Sequence, residues 1–201
     1  MRFVTGLTMT LLAMTAVPAM AASGADSGAA IETASSGLSA NQFVWNDTAT
    51  GLDPVVIVVS IPLQRAYVYR GKTLVAATTV SSGRDGKDTP IGTYTILQKD
   101  AMHKSNLYNA APMPFMQRLT WDGIAIHAGR NPGFPDSHGC IRVPAAFAKK
   151  LFGVTNVGTT VIVTDAASSD PIPVEPAAVA PDRDTVDANA QQLASLDSHG
   201  R

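Results

Sequence analysis

The residues best suited to chemistry lie in one stretch: Gly123-Ile124-Ala125-Ile126-His127-Ala128-Gly129-Arg130-Asn131-Pro132-Gly133-Phe134-Pro135-Asp136-Ser137-His138-Gly139-Cys140-Ile141-Arg142. It holds the only cysteine of the 201-residue chain and two of its four histidines. It reads as a short apolar strand ending on a histidine, then a Gly/Pro loop, then Ser-His-Gly-Cys. A thiolate is a far better nucleophile than a thiol, and a nearby imidazole can generate it. A loop this rich in glycine and proline can fold back and carry the thiol to the strand-end histidine. The chemistry expected is acyl transfer. Cys140 attacks a carbonyl to give a thioester, and His127, with an unperturbed pKa near ~6.5, takes the proton.

The neighbours suggest supporting roles. Gly139 lets the backbone approach a substrate without a Cβ, and the N–H groups of Gly139 and Cys140 are the expected oxyanion donors. His138 orients the loop, contacts substrate, or is only a structural loop residue. Ser137 is expected to bond the loop rather than attack, because a cysteine is at hand. Arg142, just past the nucleophile, suits a substrate carboxylate, or else makes a surface ion pair of little worth. A rival chemistry is metal binding, since His127, Asp136, His138 and Cys140 are all possible zinc ligands. Structural zinc sites usually show paired Cys/His knuckles, which a chain with one cysteine does not offer.

Such a site needs a rigid frame, and the flanking sequence reads as mostly strand. Val55–Ser60 is β-branched and apolar, a buried strand. Arg65–Arg70 alternates, Gly71-Lys72 is a tight hairpin turn, and Thr73–Ser82 is the third strand. A polar loop, Gly83–Pro90, leads to a fourth strand over Gly92–Leu97. Lys99–Arg118 has two prolines, three methionines and no clean period. It reads as a long lid over the site or as an irregular excursion that only covers the core. Arg118–His127 carries one or two strands. Pro144–Gly153 reads as the one helix, with Pro144 in the first turn, Phe147 and Leu151 one turn apart, and Gly153 as its cap. Thr159–Thr164 is a last β-branched strand. The ordered part, 53–165, is therefore mainly β with one helix, a small β-sandwich or closed sheet.

The ends read differently. Arg2, the apolar run Phe3–Val17, Pro18 and Ala19-Met20-Ala21 form a signal-peptide pattern over residues 1–21. The run is short for a membrane span, so no stable membrane insertion is expected after cleavage. Residues 22–52 are Ala/Ser/Gly/Thr-rich and read as a flexible lead-in, with Phe43 and Trp45 able to dock on the domain. Residues 166–201 are Pro/Ala/Asp-rich and read as a disordered tail; His199 lies there without a role. A net charge of -1 gives no basic surface for nucleic acid. An exported chain with one cysteine has no internal disulfide, which leaves a reactive thiol as the favoured fate of Cys140.

His127 with Ser137-His138-Gly139-Cys140-Ile141-Arg142 resembles the signature of the L,D-transpeptidases, the YkuD-like catalytic domain of bacterial cell-wall enzymes. The resemblance extends over about 54–165. Val56–Ser60 with Gln64–Tyr69 is similar to the family's opening strands. Val80-Ser-Ser-Gly83 and Thr89-Pro90-Ile-Gly92-Thr93-Tyr94 are similar to its Ser/Thr-Gly and Thr-Pro-x-Gly elements, and Thr159–Val163 to its closing strand. The resemblance implies a mixed β-sandwich with one helix and no cofactor. It implies donor and acceptor peptidoglycan stem peptides as partners, and a periplasmic location after export. Cys140 would attack the carbonyl of the third stem residue, an L-centre of diaminopimelate, and the terminal D-alanine would leave. His127 would serve as base, with its other ring nitrogen held by the carbonyl of Ala128. A second stem's amine would then take the acyl group to give a 3-3 link. Some members make 1-3 links, attach proteins or hydrolyse, and carbapenems would acylate Cys140. The loop between His127 and Ser137 is shorter than in many members, and Lys99–Arg118 has no residue-by-residue match, so the acceptor stays open. Two other functions remain: an L,D-carboxypeptidase or endopeptidase using the same cysteine, and a non-catalytic wall-binding module.

Overall fold

The computed structural model describes residues 24–49, 51–106 and 109–169. Two sheets face each other across the main core. The larger is built on β2 (Val55–Ser60), β3 (Arg65–Arg70) and β4 (Thr73–Thr79), an antiparallel meander. On its far side β10 (Thr160–Thr164) runs parallel to β2, and β5 (Gly92–Thr95) pairs antiparallel with β10. A short strand β1 (Phe43–Trp45) pairs with β4, giving the order β1-β4-β3-β2-β10-β5. The smaller sheet has the order β6-β7-β8-β9, from Gln98–Lys104, Pro112–Arg118, Ala125–Ala128 and Ile141–Val143. Helix α2 (Ala145–Val154) packs beside it.

Strand alternation explains the packing. Ile57 and Val59 of β2 point into the main core with Val68, Val80, Ile126, Ile141, Phe147, Leu151, Val161 and Val163. Val58, between them, points to the opposite face with Tyr67, Tyr69, Leu74, Ala77 and Ile162. A strand covered on both faces needs apolar residues at every position, which is why β2 reads as a continuous run. The outer face is covered by helix α1 (Gly24–Ser36), whose Ile31 joins that second cluster.

This corrects the expectation of a flexible lead-in over 22–52, because residues 24–36 are helical and 43–45 form an edge strand. The α1 sequence is mostly Ala, Gly, Ser and Thr, so its helix is held by docking rather than by a visible apolar stripe. Phe43 and Trp45 do dock, each meeting the Phe147 ring edge-on at 5.7 and 5.4 Å. Lys99–Arg118 is not an irregular excursion, and it borders the groove described below. It is most of a hairpin, with Asp100 opposite Met116 and His103 opposite Met113. Helix α2 runs one residue past Gly153, and Thr155 rather than the glycine caps it, through its N–H to Leu151 O at 3.1 Å. Lys99 Nζ donates to Phe152 O and Thr155 O at 2.7 and 2.6 Å, closing the helix end with a cation. Residues 1–21, expected to be a signal peptide, lie outside the described residues, as does the tail beyond 169. No helix of the described residues is long and apolar enough to cross a membrane.

Candidate active site

His127 and Cys140 come from adjacent strands of the smaller sheet. β8 and β9 run parallel, with Ile126 opposite Ile141 and His127 opposite Arg142, so Cys140, just before β9, is level with the start of β8 and two residues from the partner of His127. Both side chains line one groove of about 810 Å³. Its other walls come from the β6–β7 hairpin, the turn at Trp121–Gly123, and Gly129, Arg130, Ser137, His138 and Arg142. The Gly/Pro loop is what carries two residues thirteen positions apart to one groove.

The imidazole is nearly buried, at 7% exposure. Its Nδ1 lies 2.8 Å from the carbonyl oxygen of Ala128. A carbonyl only accepts, so Nδ1 carries the proton and Nε2 is left as an acceptor, the tautomer a general base needs. Burial pushes the His127 pKa down; the Ala128 bond works against this, and the charges of Arg142 and His103 add to it. The Cys140 thiol is pushed the other way. Burial raises its pKa, while the Ala125 backbone amide and the charges of Arg142 and Arg118 pull it back only in part. The thiol donates to the carbonyl oxygen of Gly123 at 3.3 Å. Burial thus pushes both groups toward their neutral forms. A low dielectric penalises the two charges of an ion pair more than the neutral pair.

The loop before Cys140 is tied on every side. Ser137 Oγ accepts the N–H of Gly139 at 3.1 Å and donates to the carbonyl oxygen of Cys140. Its hydroxyl is spent inside the loop, although the residue also borders the groove. The same bond corrects the oxyanion expectation, since the Gly139 N–H is committed to Ser137 and the Cys140 amide is what remains of that pair. Gly139 has φ +114, and a Cβ there would sit 2.8 Å from Ile124 Cδ1. The site thus needs glycine for its backbone as well as for access. Thr89 Oγ1 donates to Gly139 O at 2.8 Å and accepts the N–H of Gly83 at 2.8 Å, so one hydroxyl joins the Thr-Pro segment to the nucleophile loop. Asn131, which sequence reasoning passed over, is buried and donates to Thr79 O and Oγ1 at 2.8 and 3.0 Å. An asparagine between arginine and proline in a loop is a common turn residue, so nothing in its local pattern marked that role.

Charge is arranged around the pair. His138 is exposed, and its Nε2 accepts from Arg84 Nη2 at 3.0 Å; its pKa is lowered by desolvation and then by Arg84. Arg142 Nη1 lies 3.4 Å from Asp136 Oδ2, and Arg130 Nη1 lies 2.8 Å from the same oxygen. Arg142 thus borders the groove as a cation already shared with a carboxylate. Its stem lies against Gly129, where a Cβ would meet Arg142 Cγ at 3.1 Å. Asp136 and His138 are turned to these arginines, and among the described residues no three His, Cys, Asp or Glu side chains gather as a metal-ligand group. His103 and Arg118 also border the groove, from β6 and β7. Sequence reasoning gave them no role, because only the hairpin brings them to the site.

The family model of YkuD, the L,D-transpeptidase catalytic domain, matches residues 54–163. The chain belongs to the L,D-transpeptidase family. Solved structures agree on the fold. An L,D-transpeptidase from Mycobacterium smegmatis is 23% identical, with a TM-score of 0.51, covering 55% of this chain and 58% of that one. One from Stackebrandtia nassauensis is 24% identical, with a TM-score of 0.52 and 62% of each chain covered. A third, an L,D-transpeptidase in complex with imipenem, is 23% identical, with a TM-score of 0.52, covering 56% of this chain and 59% of that one. The chain thus spans less than two thirds of the length of each. No curated protein matches the sequence.

Proposed function

We propose that this protein is an exported L,D-transpeptidase that joins peptidoglycan stem peptides through a thioester on Cys140. The observation that carries the proposal is the pairing of a groove-lining thiol with an imidazole whose Nδ1 proton is fixed by Ala128 O. As sulfur attacks the donor carbonyl, the thiol proton passes to His127 Nε2, so no charged pair has to exist beforehand. Oxyanion charge develops beside the Cys140 amide. Collapse expels the D-alanine amine, which takes the proton back from His127. An acceptor amine then attacks the thioester and loses its proton through His127 to the departing sulfur. Ser137, Gly139 and Thr89 hold the turn that aims the sulfur, and Arg142 lies beside it for a substrate carboxylate. The acceptor is a second stem, giving 3-3 links, with 1-3 links or protein attachment as variants of the same step. Export through residues 1–21 would deliver the enzyme to the periplasm, where its substrate lies.

Incubation with a disaccharide-tetrapeptide, read by mass, tests this. The expected result is D-alanine loss together with a cross-linked dimer, and neither with Cys140→Ala. Trimmed monomer without dimer would instead identify an L,D-carboxypeptidase. No D-alanine loss and no dimer from the wild type, with no carbapenem adduct on Cys140, would leave a wall-binding module.

A further inference from the structure

Three arginines border the groove, and they are not equivalent. Arg130 and Arg142 share the carboxylate of Asp136. Arg118 forms no ion pair with any carboxylate of the described residues. Its position is nevertheless built. Nε donates to Gln98 Oε1 at 2.8 Å. Nη2 lies 3.5 Å from His103 Nε2, while His103 Nδ1 lies 3.4 Å from Asp100 Oδ2. Since an arginine only donates, His103 accepts through Nε2 and offers its Nδ1 proton to Asp100. The guanidinium is also 5.7 Å from the centre of the Trp121 ring. Three neighbours fix the orientation of this half-buried cation, and its Nη1 hydrogens have no acceptor among the described residues.

Its placement in the sheet gives it a use. Arg118 is opposite Ala125 on one side of β8, and Arg142 is opposite His127 on the other. The two cations therefore flank the reacting pair. Arg118 lines the same groove as Cys140 and His127. We propose that Arg118, held by Gln98 and His103, is a carboxylate subsite, and that it takes the side-chain carboxylate of the third residue of the donor stem. This rests on the transpeptidase function above. A guanidinium whose Nη1 hydrogens are unspent makes charge-assisted bonds to a carboxylate that a neutral carboxamide forms less strongly. A group retained on the acyl-enzyme would keep this contact through both half-reactions, whereas the carboxylate of the leaving D-alanine would not.

The test compares three synthetic tetrapeptide donors: one with all carboxylates free, one with a carboxamide on the third-residue side chain, and one with a carboxamide on the terminal D-alanine. D-alanine or D-alaninamide release is measured as kcat/KM. The expected preference of the wild type for the free acid over the side-chain amide is roughly 10- to 100-fold, the usual worth of a charge-assisted bond. In Arg118→Gln that ratio should fall to about twofold, and Arg118→Lys should restore part of it. A structural role would lower all three rates together and leave the ratio intact. A wild-type ratio near one overturns the inference and needs no variant. So does an unchanged ratio in Arg118→Gln, or a preference that follows only the terminal amide. Release from no donor by the wild type, with Cys140 unlabelled by a carbapenem, would overturn the transpeptidase function itself.

Discussion

Replacing Thr89 by valine removes one oxygen and strands two backbone groups. The Thr89 hydroxyl is 6% exposed at the residue level and makes two bonds, accepting Gly83 N–H at 2.8 Å and donating to Gly139 O at 2.8 Å. Valine keeps nearly the same shape, so packing changes little and the effect is that of the hydroxyl. Each orphaned buried group costs about 1–3 kcal/mol, so the pair should cost roughly 2–6 kcal/mol in chemical denaturation. Gly83 cannot move aside easily, because the space beside its Cα is filled by Lys87 O and Thr89 N. Gly139 can, and it is adjacent to the nucleophile. Activity should therefore fall further than the loss of folded protein explains, by about 10-fold or more in kcat/KM measured where the variant is fully folded. Thr89→Ser keeps both bonds and should stay within about 1 kcal/mol of the wild type. If Thr89→Val matches Thr89→Ser in both stability and rate, the clamp between the two loops does not exist in solution.

Three further outcomes are expected. The pH profile of kcat/KM should be a broad plateau: His127 must be neutral to accept a proton and its pKa is lowered, while the Cys140 pKa is raised. Activity should thus persist below the ordinary imidazole range near ~6.5 before the acid limb, and alkylation of Cys140 by iodoacetamide should keep rising above the ordinary thiol range. An acid limb at or above the ordinary histidine value would contradict the neutral pair. Gly139→Ala places a side chain at φ +114 and 2.8 Å from Ile124 Cδ1, so it should destabilise by about 1–3 kcal/mol and abolish labelling of Cys140 by a carbapenem; normal labelling would show that the turn adapts. Ile31→Ala should cost about 2–4 kcal/mol and speed hydrogen exchange in α1, while acylation of Cys140 on the other sheet is unchanged. Unaltered exchange would mean that α1 is held by something other than this side chain.

The family and the candidate site were legible in the sequence because they rest on residue types that have few other uses. A single cysteine after Ser-His-Gly, and a histidine ending an apolar strand, restrict the possibilities without any knowledge of the chain path. The central strands were legible as well, since β2 is apolar at nearly every position. Helix α1 was not, because only Ile31 among its thirteen residues is a large apolar anchor, and its stability comes from the face of the sheet beneath it. Nor was the hairpin of β6 and β7, because β6 buries no residue and the two prolines of β7 hide the period-two pattern. Charge state lay beyond the sequence too. Whether Cys140 and His127 rest as ions depends on how much water reaches them, and that is set by strands distant in the chain closing over both. The same closing brings Arg118 to the groove from a segment with no motif of its own. Residue identity marked the candidate site; the packing of the second sheet decided how little water reaches it and which cations face it, because desolvation and distance belong to the folded chain alone.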